Sequence, residues 1–429
     1  MRCLARNPIR LQGRNWFRDV EVVQGDVTIP STLEAALEGV HTAYYLIHNM
    51  TRGHGYTSLE LESARNFADA AELAKVQHII YLGGLADPEQ HIAPHMRSRI
   101  ETGRVLREGK VPVTEFRAGV IAGSGSISFE MIRFMTELLP IVPGPLWMKN
   151  RTQSIAIQNV IDYLCAALTN PRGRDGVFEI GGPDIAKYGD LMLRYARLRG
   201  LRRRMFLLPG IPLWFMAFGV GLMTPVPYPI AYALIGGLSA DSLVKHPQAL
   251  EVFPEVQLID FDTATKDALE KTNPSHIERV WADGKHEPKS IKHEGCFIEH
   301  REIAVNAEPG TVLEAITKFG VRELPGTVRL TLAPPARAGE PYQGRCAPVS
   351  KSLLLDSKAI LFRWKDKFFG KQWMEWRVIC QAERVTLTQT MFFSPRGLPG
   401  FLYWYLSHPL HLLRFRNLID KIARQSETQ

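Results

Sequence analysis

Six residues stand at the ends of short strand-like runs: Arg6, Asp26, His48, the pair Gly83 and Gly84, and Arg117. They offer guanidinium, carboxylate and imidazole groups and a flexible glycine pair. An open parallel sheet places its ligands in the crevice at the carboxyl ends of its strands. Their shared position therefore points to one ligand-binding crevice.

The runs that position them alternate with helical segments from Cys3 to Ile180, the pattern of a parallel sheet with helices on both faces. Cys3-Leu4-Ala5 is closed by Arg6-Asn7-Pro8, and Val20 to Asp26 is a second short strand. Ser31 to Leu37 reads as a helix that Ser31 caps. Thr42 to His48 is nearly continuous in apolar character, as expected of a central strand buried on both faces. Apolar residues at helical spacing predict a helix over Leu59 to Leu73; the strand His78 to Leu82 follows and Gly83-Gly84 closes it. A helix over Ser98 to Glu108 and a strand over Val113 to Arg117 complete the pattern.

At 429 residues the chain has room for two or three domains of roughly 150 residues each. Its 45% hydrophobic and 22% charged residues are those of a globular chain that buries a core. A net charge of +8 suits an anionic cofactor, a membrane surface or nucleic acid. The basic residues are scattered apart from Arg202-Arg203-Arg204, which favours a solvated helix end, so no nucleic-acid partner is expected. Cys3, Cys165, Cys296, Cys346 and Cys380 lie far apart without CxxC spacing, which predicts a reduced, cytoplasmic chain with no structural metal.

No secretory signal pattern opens the sequence. The most apolar stretch, Leu207 to Leu238, is broken by five prolines into pieces shorter than the roughly 20 residues that span a bilayer, and is expected to form buried helices or a hydrophobic lid. A polar, charged linker is expected over 271–294, separating a first domain over 1–270 from a second over 295–429. Strand-like runs near Phe297, Ala359, Gln372 and Arg384, a helix from Ala307 and a long helical stretch from Leu398 to Ala423 predict an α+β domain there.

On these residues the first domain resembles the extended, atypical short-chain dehydrogenase/reductase family, in the branch that includes a complex I accessory subunit. The resemblance implies a doubly wound, Rossmann-like sheet in which Arg6 meets the adenosine 2′-phosphate, so that NADP(H) is favoured over NAD(H). Asp26 and Val27 then lie by the adenine, and Leu46, Ile47 and His48 by the ribose and pyrophosphate. PHMRSRIE, Pro94 to Glu101, falls where the family has Tyr-x-x-x-Lys with a serine before the lysine. His95 takes the tyrosine position, Ser98 matches the serine and Arg99 takes the lysine position. The implied roles are proton transfer by His95, which titrates near neutrality, and a ribose clamp by Arg99. Gly83-Gly84 replaces a serine often found after the fifth strand, and the run containing Arg117 resembles the sixth strand beside the nicotinamide.

The resemblance also implies a strand, a Gly-rich turn and a helix ahead of MRCLARNP. That first βα unit is lacking here, from a start placed too far downstream or a real truncation, and the chain as written is expected to bind a dinucleotide weakly. The second domain resembles an uncharacterised (DUF2867-type) domain with a START-like, lipid-binding fold, although LPGTVRLTLAPPARAGEPYQG departs from it. Together these imply an NADP(H)-dependent oxidoreductase acting on a small apolar substrate or lipid. The alternatives are a non-catalytic dinucleotide-binding module for redox sensing or assembly, and a lipid-binding protein in peripheral contact with a membrane.

Overall fold

The computed structural model describes residues 1–11, 16–47, 56–90, 92–224, 226–271, 289–293, 295–323, 327–331, 358–364, 369–381 and 384–428. They fall into two compact units, 1–271 and, among the described residues, 289–428.

The first unit opens with β1 (Arg2–Ala5), β2 (Glu21–Gln24), α1 (Leu33–Leu37), β3 (Thr42–Tyr45), α2 (Tyr56–Leu73), β4 (His78–Gly84), α3 (Pro94–Glu108) and β5 (Val113–Ala118). It continues through β6 (Ile121–Ala122), α4 (Ile127–Leu138), β7 (Ile141–Pro145), β8 (Arg151–Thr152), β9 (Ile155–Ala156), α5 (Ile157–Thr169) and β10 (Val177–Ile180). It closes with β11 (Ala186–Lys187), α6 (Tyr188–Leu198), β12 (Arg204–Leu208), α7 (Leu213–Met223), α8 (Tyr228–Gly237), α9 (Gln248–Val252) and α10 (Phe261–Glu270).

The central sheet has the order β10-β5-β4-β3 and is parallel throughout. Apart from Leu82, every residue of β4 is buried, as expected of a strand covered on both faces. β3 departs from that expectation. It ends at Tyr45, lies at the sheet edge, and alternates buried Ala43 and Tyr45 with half-buried Thr42 and Tyr44. β1 and β2 form their own parallel pair, in register from Arg2 opposite Glu21 to Ala5 opposite Gln24. They share an apolar cluster with the larger sheet, in which Leu4 packs among Val27, Leu33, Ala43 and Phe67. Arg2 ties β1 to α1 by donating to the carbonyls of Ala36 and Glu38 (3.2 and 2.6 Å), where a cation meets the negative end of the helix.

Two local expectations change. α1 starts after a 3-10 turn over Pro30–Thr32, so Ser31 does not cap it; Thr32 Oγ1 instead accepts from the Asp26 amide (2.9 Å). α3 starts at Pro94, a first-turn residue with no amide hydrogen to leave unsatisfied, and all of PHMRSRIE is helical.

The second unit comprises β13 (Lys289–His293), β14 (Cys296–Val305), α11 (Pro309–Glu323), β15 (Thr327–Thr331), β16 (Lys358–Trp364), β17 (Gly370–Gln381), β18 (Arg384–Pro395) and α12 (Gly397–Glu427). Its antiparallel sheet runs β13-β14-β18-β17-β16-β15, with α12 packed on β14 and β18 and α11 on β17. β13 occupies the end of the segment expected to be linker: KSIKH is polar, yet it pairs in register with His300 to Cys296. Trp404 belongs to this core, stacked on Phe297 at 4.7 Å, whereas Tyr405, Leu410 and Leu413 of the same helix are exposed.

Candidate functional site

A cavity begins where β4 and β5 end. Leu85 and Ala86 follow β4, Gly119 and Val120 follow β5, and the walls are completed by His95 near the start of α3 and Tyr188 at the start of α6. It adjoins a second, apolar chamber, with which it shares Val120, Ser128, Tyr188 and Leu234. Methionines dominate the far wall of that chamber, among them Met131, Met148, Met192 and Met216. Such unbranched, polarizable side chains adapt to irregular apolar ligands.

His95 is buried, and burial first, then the nearby Arg99 cation, push its pKa down to about 4. This corrects the expectation of titration near neutrality: a desolvated imidazole beside a cation stays neutral. Its Nδ1 is buried without a hydrogen-bond partner, so the ring has a polar atom left for a ligand or water. Gly237 of α8 makes room for the ring, because a Cβ there would lie 2.9 Å from Nε2. Tyr188 faces the same cavity, and burial above all pushes its phenol up to about 12. The phenol keeps its proton, is a weaker acid than a solvated tyrosine, and has the Thr152 and Ser242 side chains as hydrogen-bonding neighbours. Sequence reasoning missed Tyr188, since no motif or spacing links it to His95; the structure places it at the start of α6.

The other expected residues divide. Arg99 is half-buried one turn beyond His95, and its carbonyl accepts from the Tyr81 hydroxyl (2.9 Å). Among the described residues no carboxylate pairs with the Arg99 guanidinium. Arg6 is exposed just beyond β1, its guanidinium likewise unpaired among the described residues, while its carbonyl accepts from Gln24 Nε2 (3.4 Å). Asp26, just beyond β2, accepts at Oδ1 from the Thr28 amide and hydroxyl (3.0 and 2.9 Å). Val27 is a core residue whose carbonyl accepts from Asn66. Leu46 is exposed and Ile47 half-buried beyond β3; His48 lies outside the described residues.

Ser98 does not line the cavity. It is fully buried, and its hydroxyl donates to the Glu60 carboxylate of α2. Gly83 and Gly84 are buried within β4, and the Met96 side chain of α3 lies over Gly84. Arg117 is engaged too: its Nε donates to Glu115 Oε1 (2.7 Å), while Arg107 of α3 pairs with the other carboxylate oxygen. Glu115 is fully buried, and Gly103 of α3 leaves the space its carboxylate fills. The expectation that Arg117 faces a cofactor gives way to a structural role, because its guanidinium balances a buried charge.

The parallel sheet with its cavity at the strand carboxyl ends defines a Rossmann-like architecture. Residues 6–177 match the model of the NmrA-like family. The NADP(H) complex of Citrobacter sp. triphenylmethane reductase is similar in structure, with a TM-score of 0.50 and 18% identity over 62% of this chain and 89% of that one. The NADPH complex of the Escherichia coli NADPH-dependent quinone oxidoreductase gives 0.50 and 16% identity over 62% and 90%. A nucleoside-diphosphate-sugar epimerase from Staphylococcus aureus gives the same four values: 0.50, 16%, 62% and 90%. At these identities the likeness shows the fold alone: a Rossmann-like core, here followed by an α+β domain. No curated protein sequence matches the chain.

Proposed function

We propose that the first unit binds NADP(H) along the carboxyl ends of β1 to β4 and serves as an oxidoreductase for an apolar substrate held in the His95–Tyr188 cavity. The observation that carries this reading is the cavity itself. It opens at the strand ends, holds an unpartnered imidazole nitrogen and a protonated phenol, and adjoins a methionine-lined chamber.

Arg6 and Arg99 fit the cofactor, being guanidiniums without carboxylate partners among the described residues. Arg6 would hold the adenosine 2′-phosphate, whose charge and geometry match its fork of donors, and Arg99 the nicotinamide ribose. The NADP(H) and NADPH complexes named above support that choice of cofactor. When bound, the reduced cofactor supplies a hydride. Tyr188 then donates its phenolic proton to the substrate oxygen, and neutral His95 orients that oxygen through a hydrogen bond. Asp26 lies just beyond β2 on the adenine side of the crevice, with Oδ1 held by the Thr28 amide and hydroxyl. In the second unit, the antiparallel sheet packed against one long helix supports a START-like, lipid-binding reading.

The commitment of Ser98 to Glu60 and the neutrality of His95 favour, as a second reading, a dinucleotide-binding module without turnover.

Calorimetry with NADPH and NADH tests the cofactor assignment. NADPH is expected to bind more tightly, and Arg6→Glu to weaken NADPH by about tenfold or more while leaving NADH nearly unchanged. Failure of NADPH to bind, or equal binding by Arg6→Glu, would overturn it. Binding without oxidation of NADPH by a panel of quinones and triphenylmethane dyes would select the second reading.

A further inference from the structure

We propose that the hairpin of α7 and α8 docks on the surface of an anionic lipid bilayer and that lipophilic substrate passes from there into the apolar chamber. The docking half stands on the hairpin alone, and the delivery half rests on the function proposed above.

From Met205 to Ala240 the chain carries no charged residue. Both faces of α7 are nonetheless used. Met216 and Val220 wall the chamber, while Trp214, Phe215, Phe218 and Leu222 are 55–74% exposed. α8 repeats the division, with Leu234 and Ile235 on the chamber and Tyr228 and Tyr232 exposed. A single layer of helix thus separates the apolar chamber from an apolar outer face.

The preceding strand continues that face. Positions 204, 206 and 208 are exposed and alternate with less exposed ones, so Arg204, Phe206 and Leu208 lie on one side of β12, and Arg202 is exposed two residues ahead of the strand. Two guanidiniums therefore border a surface of Trp, Tyr, Phe and Leu. That pairing fits a bilayer interface, where aromatic rings sit at headgroup level and arginines meet anionic lipid. At 11 and 10 residues, α7 and α8 are too short to span a bilayer, and among the described residues no helix is long and apolar enough to cross one. The contact is peripheral.

Vesicle sedimentation of the full chain tests the docking. The wild-type protein is expected to pellet with vesicles of phosphatidylcholine and phosphatidylglycerol, and several-fold less with phosphatidylcholine alone or in high salt. Phe215→Glu/Phe218→Glu should lower the bound fraction about tenfold, and Arg202→Glu/Arg204→Glu should remove the preference for anionic lipid. Because these side chains are exposed, circular dichroism melting should leave the variants close to wild type. As a readout free of charge changes, brominated acyl chains should quench tryptophan fluorescence in the wild type and distinctly less in Trp214→Phe. Wild-type protein that stays in the supernatant would overturn the proposal, as would binding that survives Phe215→Glu/Phe218→Glu unchanged. Concentration-dependent self-association, abolished by that variant and without vesicle binding, would assign the face to a second copy instead. NADPH calorimetry separates the two readings: vesicle binding without NADPH binding retires the oxidoreductase and keeps the docking, and the converse keeps the oxidoreductase alone.

Discussion

α3 carries two polar clusters of opposite character. Toward its carboxyl end Arg107 meets Glu115, which also holds Arg117, and Gly103 opens the space for that carboxylate. Toward its amino end, His95 keeps an unpartnered nitrogen and Arg99 a guanidinium without a carboxylate partner among the described residues. Burial alone does not separate them, since Glu115 and His95 are both buried. What separates them is charge pairing: the Glu115 carboxylate lies between two guanidiniums and holds the fold, while the His95 nitrogen opens on a cavity with no partner and is poised for a ligand.

The largest expected effect breaks the closed cluster. Glu115→Ala leaves Arg107 and Arg117 facing one another without their anion, and is expected to cost about 3–5 kcal/mol in urea denaturation. A cost below about 1 kcal/mol would mean that solvent already compensates the cations. At the open cluster, Tyr188→Phe should leave denaturation midpoints nearly unchanged but lower turnover with NADPH by about a hundredfold, the usual contribution of a positioned acid. Retained turnover would remove Tyr188 as the donor.

The third effect is a pH dependence. The His95 imidazole is pushed down from 6.5 to about 4 in the folded chain, so below pH 6.5 the unfolded state binds the proton first. The associated stability is present above pH 6.5 and is lost as the pH falls toward 4. Between pH 7 and 4.5 the wild type should lose about 2 kcal/mol more than His95→Asn. Equal losses would show that the ring is hydrated and titrates normally.

How much of this was legible in the sequence depended on local pattern. α2 was readable because its apolar residues recur at the helical period, and β4 because it is a short continuous apolar run closed by glycines, as a strand buried on both faces must be. The apolar run through β3 read as a central strand, yet its neighbours make it an edge, and strand order is not written in any one strand. β13 escaped because KSIKH has no apolar signature; its pairing with β14 supplies the order. Arg6 and Asp26 were legible as residues just beyond strands, and the structure places them there. Arg117 satisfied the same rule but turned toward Glu115.

The sequence by itself determined the alternation of strands and helices, the split into an α/β and an α+β unit, and a helix from Ser98 that carries Arg99; the structure extends it back to Pro94 to include His95. These are short-range consequences of periodicity, proline and glycine. Only the tertiary structure decided which charged groups compensate one another, that His95 is neutral, and that Tyr188 shares its cavity. Those properties depend on desolvation and on contacts between residues far apart along the chain, and neither is encoded at the position of a single residue.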